Sequence, residues 1–162
     1  MKTFEELKKD LERAKKHHAC QDGYSMGLNA KSKQDLLKAI TDNWYWVLST
    51  SKMIDANYLE NNFSEEELAE AGIYTRKEHI SNAKSFACGS ATVKAYGSAT
   101  VEACDSATVE AYGSATVEAC NNSYVEDCTG NINTVSDHGI VKDYYNHKIY
   151  IKKGKFEIIE IE

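Results

Sequence analysis

The chain has 162 residues and a formal net charge of −6, with 25 acidic residues against 19 basic ones. This acidic balance argues against a nucleic-acid-binding surface, so direct binding to nucleic acid is not expected. The sequence has neither an apolar region behind its N-terminus nor an apolar run of the roughly 18 residues that cross a bilayer, which predicts a cytoplasmic protein without membrane contact.

Residues 1–80 are predicted to form a small helical domain. Thr3 and Glu6 have the spacing of a capping box, and apolar residues then recur on one face of a first helix. The segment of residues 20–29, CQDGYSMGLN, contains two glycines and predicts a turn. A second start that resembles a capping box, Ser32 with Asp35, begins the next helix.

Both tryptophans of the chain lie in the second half of this domain. The second helix is expected to break before Trp44, and Trp44 and Trp46 cannot share one face of a helix. One of them is therefore predicted to lie in the core, and the other to be exposed or to pack against the next domain. A third capping box at Ser64 starts a last helix that Gly72 ends, and residues 73–80 connect it to the repeats.

Residues 81–144 consist of an eight-residue unit that recurs as GSATVKAY, GSATVEAC, DSATVEAY and GSATVEAC. Apolar residues at positions three, five and seven alternate with polar ones, as in a β-strand. Position five is predicted to face inward, and it comprises Ser85, Val93, Val101, Val109, Val117, Val125, Asn133 and Val141. Position six must face the solvent, because unpaired carboxylates are costly to bury. It comprises Phe86, Lys94, Glu102, Glu110, Glu118, Glu126, Thr134 and Lys142.

The residue at the last position of the octad alternates between two columns, so the true repeat is twice as long as the octad. One column contains Cys88, Cys104, Cys120 and Ser136, and the other contains Tyr96, Tyr112, Cys128 and Tyr144. The period is therefore sixteen residues, and two strands with two Gly-Ser or Asp-Ser corners per period predict a parallel β-solenoid with two facing sheets. The octads suffice for about four coils. The odd number of cysteines in a cytoplasmic protein favours reduced thiols.

Residues 145–162 contain two alternating segments with Gly154 between them, which predicts a β-hairpin. The hairpin is expected to cover the C-terminal end of the solenoid, as the helical domain covers the N-terminal end. A solenoid that is capped at both ends should exist as a monomer or a small homo-oligomer. The predicted fold class is α+β, with a helical domain, a β-solenoid and a hairpin cap.

The combination of CQDGY, the NWYW segment and the xSATVEAY octads resembles small proteins encoded by bacteriophages and prophages, in which the number of repeats varies. The resemblance covers most of the chain. It implies an origin in a phage or another mobile element, and it does not imply a particular chemistry. The octads NNSYVEDC and TGNINTVS depart from the pattern, because they place Asn131 and Asn133 on the inward side.

The sequence lacks the motifs of phosphate binding, dinucleotide binding and metalloproteases, so no catalytic residue, metal or cofactor is expected. His17, His18 and Cys20 lie close together, but adjacent histidines on a helix point about 100° apart and do not make a ligand set. The expected function is that of a non-enzymatic, phage-derived effector that binds a host protein. An inhibitor of a host defence or nucleic-acid-processing enzyme, comparable to an anti-CRISPR protein, is one such effector.

The predicted partner-binding residues are aromatic and acidic side chains of the solenoid, together with whichever tryptophan is exposed: Tyr96, Tyr112, Tyr144, Glu102, Glu110, Glu118, Glu126, and Trp44 or Trp46. Tyrosines are enriched in interface hot spots, although they can equally serve to close the solenoid corners. Two other functions stay open. A rod suits a structural module of a virion or tail, and outward threonines suit an ice-binding surface, although neighbouring glutamates interrupt the uncharged plane that such a surface needs.

Overall fold

The computed structural model describes residues 1–131 and 133–161, and it confirms the α+β class, with a helical region followed by a two-sheet, mainly parallel β-solenoid. In these residues the α-helices are α1 (Phe4–Leu11), α2 (Gln21–Asn29), α3 (Lys33–Asp42), α4 (Ala56–Asn62) and α5 (Glu65–Glu70). A 3₁₀ helix, Glu12–His17, extends α1, and a π-helical turn, Trp46–Thr50, follows α3. Of the helices described, none is long and apolar enough to cross a membrane.

Side-chain caps fix where three of the helices begin. The Thr3 hydroxyl accepts a hydrogen bond from the Glu6 amide at 3.3 Å, while the Glu6 carboxylate accepts one from the Thr3 amide at 2.8 Å. The same reciprocal pair forms at Ser32 before α3 and at Ser64 before α5. The three predicted capping boxes are therefore confirmed, and each contributes about 1 kcal/mol to its helix.

The turn predicted to follow the first helix is wrong, because this segment forms α2. Cys20 is its N-cap, and the Cys20 sulfur accepts a hydrogen bond from the Gly23 amide at 3.3 Å. A Cβ added at Gly23 would lie 2.7 Å from Asn43 Oδ1, and one added at Gly27 would lie 2.7 Å from Leu11 Cδ1. The two glycines thus let α2 approach its neighbours closely instead of ending the helix.

The middle of the helical region contains one confirmed feature and one that was not predicted. α3 ends at Asp42, so the predicted break before Trp44 is confirmed. α4 was not predicted, since its seven residues are too few to develop a helical apolar pattern. Its N-cap is Asp55, whose carboxylate accepts a hydrogen bond from the Tyr58 amide at 2.7 Å.

The strands of the solenoid alternate between two sheets. Sheet A contains, in order, β1 (Ile73–Tyr74), β3 (Lys84–Ala87), β5 (Thr100–Ala103), β7 (Thr116–Ala119) and β9 (Thr134–Val135). Sheet B contains, in order, β2 (Glu78–Ser81), β4 (Thr92–Ala95), β6 (Thr108–Ala111), β8 (Tyr124–Asp127), β10 (Ile140–Asp143) and β11 (Lys148–Ile151). Val93 pairs with Val109, and Val109 pairs with Val125, so the predicted sixteen-residue period is confirmed. The expected connector at residues 73–80 is instead the first pair of strands.

The core of the solenoid is the predicted inward column. Its members Val93, Val101, Val109, Val117, Val125 and Val141 are each at most 1 % exposed. Ser85 occupies the same column in the first octad and is 1 % exposed. Its hydroxyl has no hydrogen-bond partner in the described residues, so this position carries an uncompensated polar group.

We call the column of Cys88, Cys104, Cys120 and Ser136 the Cys column, and the corners that follow it have left-handed backbone. Gly89, Asp105, Asn121 and Asp137 stand at equivalent corners with φ of 60°, 54°, 52° and 51°. Glycine, asparagine and aspartate tolerate this conformation better than other residues. The Asp105 carboxylate also accepts hydrogen bonds from the Gly89 amide at 3.4 Å and from Asn121 Nδ2 at 3.3 Å, which ties neighbouring coils together.

The helical region reaches well beyond the N-terminal end of the solenoid that it was expected to cap. α5 contacts β1 at that end, and the segment from Trp44 to Ser49 contacts the side of the solenoid. Cys88, Cys104 and Cys120 belong to the same buried cluster as Trp44 and Phe86. The rings of Trp44 and Phe86 lie 5.2 Å apart between centroids, so Phe86, which was expected to face the solvent, is buried against the helical region beside these cysteines.

Polar contacts extend this interface to the last coil. The Ser49 hydroxyl lies 2.7 Å from Asn121 Oδ1 and 2.8 Å from Asp137 Oδ2. At the opposite end, Lys77 Nζ lies 2.7 Å from a carboxylate oxygen of Glu65 in α5. The helical region therefore contacts solenoid corners from the first coil to the last.

The prediction of reduced thiols is wrong for one pair of cysteines. Cys104 and Cys120 form a disulfide, and their Cα atoms are 4.8 Å apart because they occupy the same position in consecutive coils. Cys88 stands one coil earlier and is a buried thiol. Burial raises the pKa of the Cys88 thiol above its ordinary value, which makes this sulfur a poor nucleophile.

A C-terminal hairpin is confirmed, but β10 and β11 form it, and the strand predicted after Gly154 is not present in residues 155–161. β10 pairs antiparallel with β11, and the turn lies at residues 144–147 instead of Gly154. Asp143, which is 1 % exposed, holds this turn by accepting hydrogen bonds at 2.8 Å from the amide and from Nδ2 of Asn146. These bonds, the backbone one foremost, lower the pKa of Asp143.

The irregular octads use their polar residues to replace missing strand contacts. Asn133 accepts a hydrogen bond from the Val117 amide at 2.8 Å and donates one to Asp127 Oδ2 at 2.9 Å. Asn131 Nδ2 donates to the Ala115 carbonyl at 3.0 Å. The two inward asparagines are thus compatible with the ladder where β9 is short, while Ile132 between them lies outside the described residues.

Candidate functional site

The outward side of sheet B carries most of the predicted site residues. We call it the Tyr/Glu face and define it by Lys94, Tyr96, Glu110, Tyr112, Tyr124, Glu126, Lys142 and Tyr144. Strands β4, β6, β8 and β10 are in parallel register, so equivalent positions of successive coils lie in columns across this face. The charged column runs Lys94, Glu110, Glu126, Lys142.

The tyrosines of the last octad position form a stacked pair and a separate third ring. Tyr96 and Tyr112 lie 5.1 Å apart between ring centroids and are inclined by only 12°. Cys128 occupies the next place in the column and separates this pair from Tyr144. Tyr96 is 38 % exposed and Tyr144 is 43 % exposed, so both ends of the aromatic column are accessible.

The two carboxylates of the face are held by tyrosine hydroxyls. The Tyr112 hydroxyl donates to Glu110 at 2.9 Å, and the hydroxyls of Tyr124 and Tyr144 each lie 3.4 Å from the same oxygen of Glu126. The bond to Glu110 raises the pKa of Tyr112 to about 12, so this hydroxyl is a neutral donor at physiological pH. The carboxylates are therefore positioned by their own coil and its neighbour before any partner arrives.

Lysines close the charged column above and below the carboxylates. Lys94 Nζ lies 3.0 Å from the carboxylate of Glu78, and this hydrogen bond raises the pKa of Lys94. Lys142 Nζ lies 4.4 Å from the ring centroid of Tyr144, close enough for a cation–π contact. The face thus has an acidic centre between two lysines, of which Lys94 is already paired with a carboxylate.

Glu102 and Glu118 do not lie on this face. They belong to β5 and β7 of sheet A and line a cleft beside Tyr45 of the helical region. The Glu102 carboxylate lies 3.0 Å from Lys84 Nζ, whereas Glu118 is exposed. The structure therefore divides the predicted acidic residues between two surfaces of the solenoid.

The two tryptophans are also separated. Trp44 is 1 % exposed beneath the Cys column and is not accessible to a partner. Trp46 is half-buried and packs against the core of the helical region. The prediction that one tryptophan is core is confirmed for Trp44, and Trp46 is the one that reaches the surface.

Sequence reasoning missed Tyr124 as a member of the face. It occupies octad position four, where the regular octads have threonine, and its hydroxyl approaches Glu126. The exchange of threonine for an aromatic residue within a near-perfect repeat was the available signal. The same exchange ends the threonine column of sheet B after Thr92 and Thr108, so the regular threonine plane of an ice-binding surface is interrupted.

Neither a search for metal-binding groups nor a comparison with known proteins gives a further indication of function. In the part of the chain that the structure describes, no group of three His, Cys, Asp or Glu side chains is placed to hold a metal ion. A comparison with protein-family models, curated proteins and solved structures found no match for this chain.

Proposed function

We propose that this chain is a non-catalytic protein-binding effector whose partner docks on the Tyr/Glu face. One observation carries the proposal: exposed tyrosines and positioned carboxylates are combined on sheet B, whereas the helices pack against the Cys column and Phe86 of sheet A. Tyrosine is among the residues that contribute most to protein interfaces, because it buries a large apolar ring and still donates a hydrogen bond.

The geometry of the face lowers the cost of binding. Tyr96 and Tyr112 stack on each other, and the Tyr112 hydroxyl already bonds Glu110, so these side chains lose little freedom when a partner arrives. The strands beneath them are held by parallel ladders on both sides. A rigid, pre-positioned surface of this kind is favourable for specific protein recognition.

The charge of the face favours a protein partner over a nucleic acid. Its two adjacent carboxylates repel phosphates and attract a basic group, while Lys142 suits an acidic group beside them. Imitation of nucleic acid is a weaker interpretation. Only two carboxylates are adjacent, and strand neighbours stack at about 4.8 Å whereas phosphates along one DNA strand rise about 3.4 Å per step.

The resemblance to phage-encoded proteins supports a host protein in the cytoplasm as the partner. An effector of this kind acts by occupying a surface that a host defence or nucleic-acid-processing enzyme needs for its own interactions. A basic surface is such a target, because nucleic-acid-processing enzymes use clustered lysines and arginines to hold phosphates. The proposal therefore predicts a partner whose contact surface has a basic centre.

A capture experiment tests the proposal. The immobilised chain is exposed to host cytosol, and wild type is compared with a Tyr96→Ala/Tyr112→Ala/Tyr144→Ala variant and with Tyr45→Ala as a control. Tyr45 is 45 % exposed and lies on the helical region, so it matches the exposure but not the location. We expect the triple variant to lose a partner that both wild type and Tyr45→Ala retain, with circular dichroism verifying that all three are folded.

Substitutions that remove carboxylate charges make the test more specific. Glu110→Gln/Glu126→Gln should weaken binding of the captured partner, whereas Glu118→Gln on sheet A should not. Equal capture by wild type and by the triple variant would show that the chosen face is wrong. A wild-type chain that captures no specific partner would contradict the effector proposal itself.

A further inference from the structure

β11 leaves an apolar strand edge at one end of sheet B. It pairs with β10 on one side and is the last strand in the order of the sheet on the other. Ile149 of this strand pairs with the outward-facing Lys142 and is 65 % exposed. An edge strand with exposed apolar side chains is a template for pairing with another strand.

The segment that follows β11 adds to this apolar surface. The ring centroid of Phe156 lies 5.6 Å from that of His138, so Phe156 lies beside the last coil. Ile158, Ile159 and Ile161 are 74 %, 76 % and 91 % exposed. The strand edge and the segment that follows it therefore both expose large apolar side chains, and exposed apolar surface on a protein marks an interaction site.

We propose that two copies of this chain associate through antiparallel pairing of β11 with β11. A two-fold axis perpendicular to the sheet relates such strands, and it sets one residue opposite its own symmetry mate. The pairing joins two six-stranded sheets into one continuous sheet. It also closes the association at a dimer, because each copy contributes one such edge.

The charges of β11 and its flanks select the register. An axis at Ile149 sets the two Ile149 side chains opposite each other and Lys148 opposite Tyr150 of the second copy. An axis at Tyr150 would set Lys148 opposite Lys152, and an axis at Lys148 would set two lysines opposite each other. Like charges directly opposite are destabilising, which disfavours the last two registers. An axis at Ile151 would set the rest of β11 opposite residues 152–154, which lie beyond the strand and include a turn. The register centred on Ile149 is therefore preferred.

The opposite edge of sheet B is a less suitable contact. β2 is the edge strand there, and its Ile80 is as exposed as Ile149, at 65 %. Ile80 is flanked on its own side of the strand by Glu78 and Asn82, whereas the segment that follows β11 in the chain carries three further exposed isoleucines. Exposed apolar residues are therefore more numerous in β11 and the segment after it than in β2 and its flanks, and Ile80 supplies a matched control.

Sedimentation equilibrium over a micromolar concentration series tests the dimer. We expect wild type to dimerise, Ile149→Lys to weaken the dimer about a hundredfold through lost apolar contact and opposed lysines, and Ile80→Lys to leave it unchanged. A monomeric wild type would overturn the proposal, and this is also the result if residues 155–161 pair with β11 of their own chain. Dissociation by Ile80→Lys but not by Ile149→Lys would overturn it as well.

Cross-linking tests the register independently. In a Cys20→Ser/Cys128→Ser background, which removes the two exposed thiols, Ile149→Cys should form a disulfide-linked dimer on mild oxidation. Tyr150→Cys should form far less, because Lys148 of the second copy stands opposite it. Failure of Ile149→Cys to cross-link, or more efficient cross-linking through Tyr150→Cys, would refute the proposed pairing.

Discussion

Because β6 has an inward and an outward side, substitutions at two adjacent residues of this strand should affect stability differently. Val109 is 0 % exposed and lies in register between Val93 and Val125, whereas Thr108 faces outward and is partly exposed. Val109→Thr preserves the shape of the side chain and buries a hydroxyl among methyl groups, which should cost about 1–3 kcal/mol. Thr108→Val performs the reverse exchange on the solvent side and should change stability by less than about 0.5 kcal/mol.

Two further substitutions in the same inward column should have a larger and an opposite effect on stability. Val109→Asp places an unpaired carboxylate in the core and should cost several kcal/mol, a large fraction of the stability of a single domain. Ser85→Ala removes a buried hydroxyl that has no partner in the described residues, and it should stabilise the chain by about 1 kcal/mol.

Urea unfolding followed by circular dichroism measures these differences, because a shift in midpoint at constant m-value reports stability alone. In thermal unfolding, each kcal/mol should shift the Tm by about 2–4 °C for a chain of this size. Equal destabilisation by Val109→Thr and Thr108→Val would refute the assignment of inward and outward sides. A loss of stability in Ser85→Ala would show that its hydroxyl is bonded.

Three other predictions concern the disulfide, the contact between α1 and α2, and the turn of the hairpin. Reduction of the Cys104–Cys120 disulfide by dithiothreitol should lower the unfolding free energy by about 3 kcal/mol, given its separation of 16 residues, and a Cys104→Ala/Cys120→Ala variant should be insensitive to the reductant. Gly27→Ala should destabilise the chain because its Cβ would lie 2.7 Å from Leu11, and adding Leu11→Ala should recover part of the loss in thermal unfolding; a neutral Gly27→Ala would contradict the close packing. The lowered pKa of Asp143 means that its stabilising contribution is complete above the ordinary Asp pKa of about 3.9 and is lost as the pH falls towards the folded-state value. Amide protection factors of β11 should fall over that range in wild type, and an identical fall in Asp143→Asn would exclude Asp143 as its cause.

The parts of the fold that local sequence determines were predictable. Alternation in the octads identified the buried column around Val109 and the sixteen-residue period, because each strand shows its two sides within four residues. The capping boxes at Thr3, Ser32 and Ser64 were predictable for the same reason, since the groups that bond are three residues apart.

The features that the sequence did not predict depend on contacts between distant residues. Gly23 and Gly27 indicate a turn when α2 is considered alone, and only the approach of Leu11 and Asn43 explains why glycine stands inside a helix. The disulfide of the Cys column depends on a tertiary environment that the thiol count does not reveal. For the candidate site, the repeat predicted which residues face outward, but not which of the two outward sides the helices would occupy.

The length of the helical interface has a consequence for how the solenoid can grow. Lys77 in the first corner binds Glu65, and Asp137 in the last corner binds Ser49. The helical region is therefore fixed to the solenoid near both of its ends. Inserting sixteen residues between these corners would displace one anchor from its partner by about 4.8 Å, the height of one coil. A coil added after Asp137 would leave both anchors in place. We therefore expect an added coil to be tolerated after Asp137, whereas a coil added between Lys77 and Asp137 should break one of the two contacts.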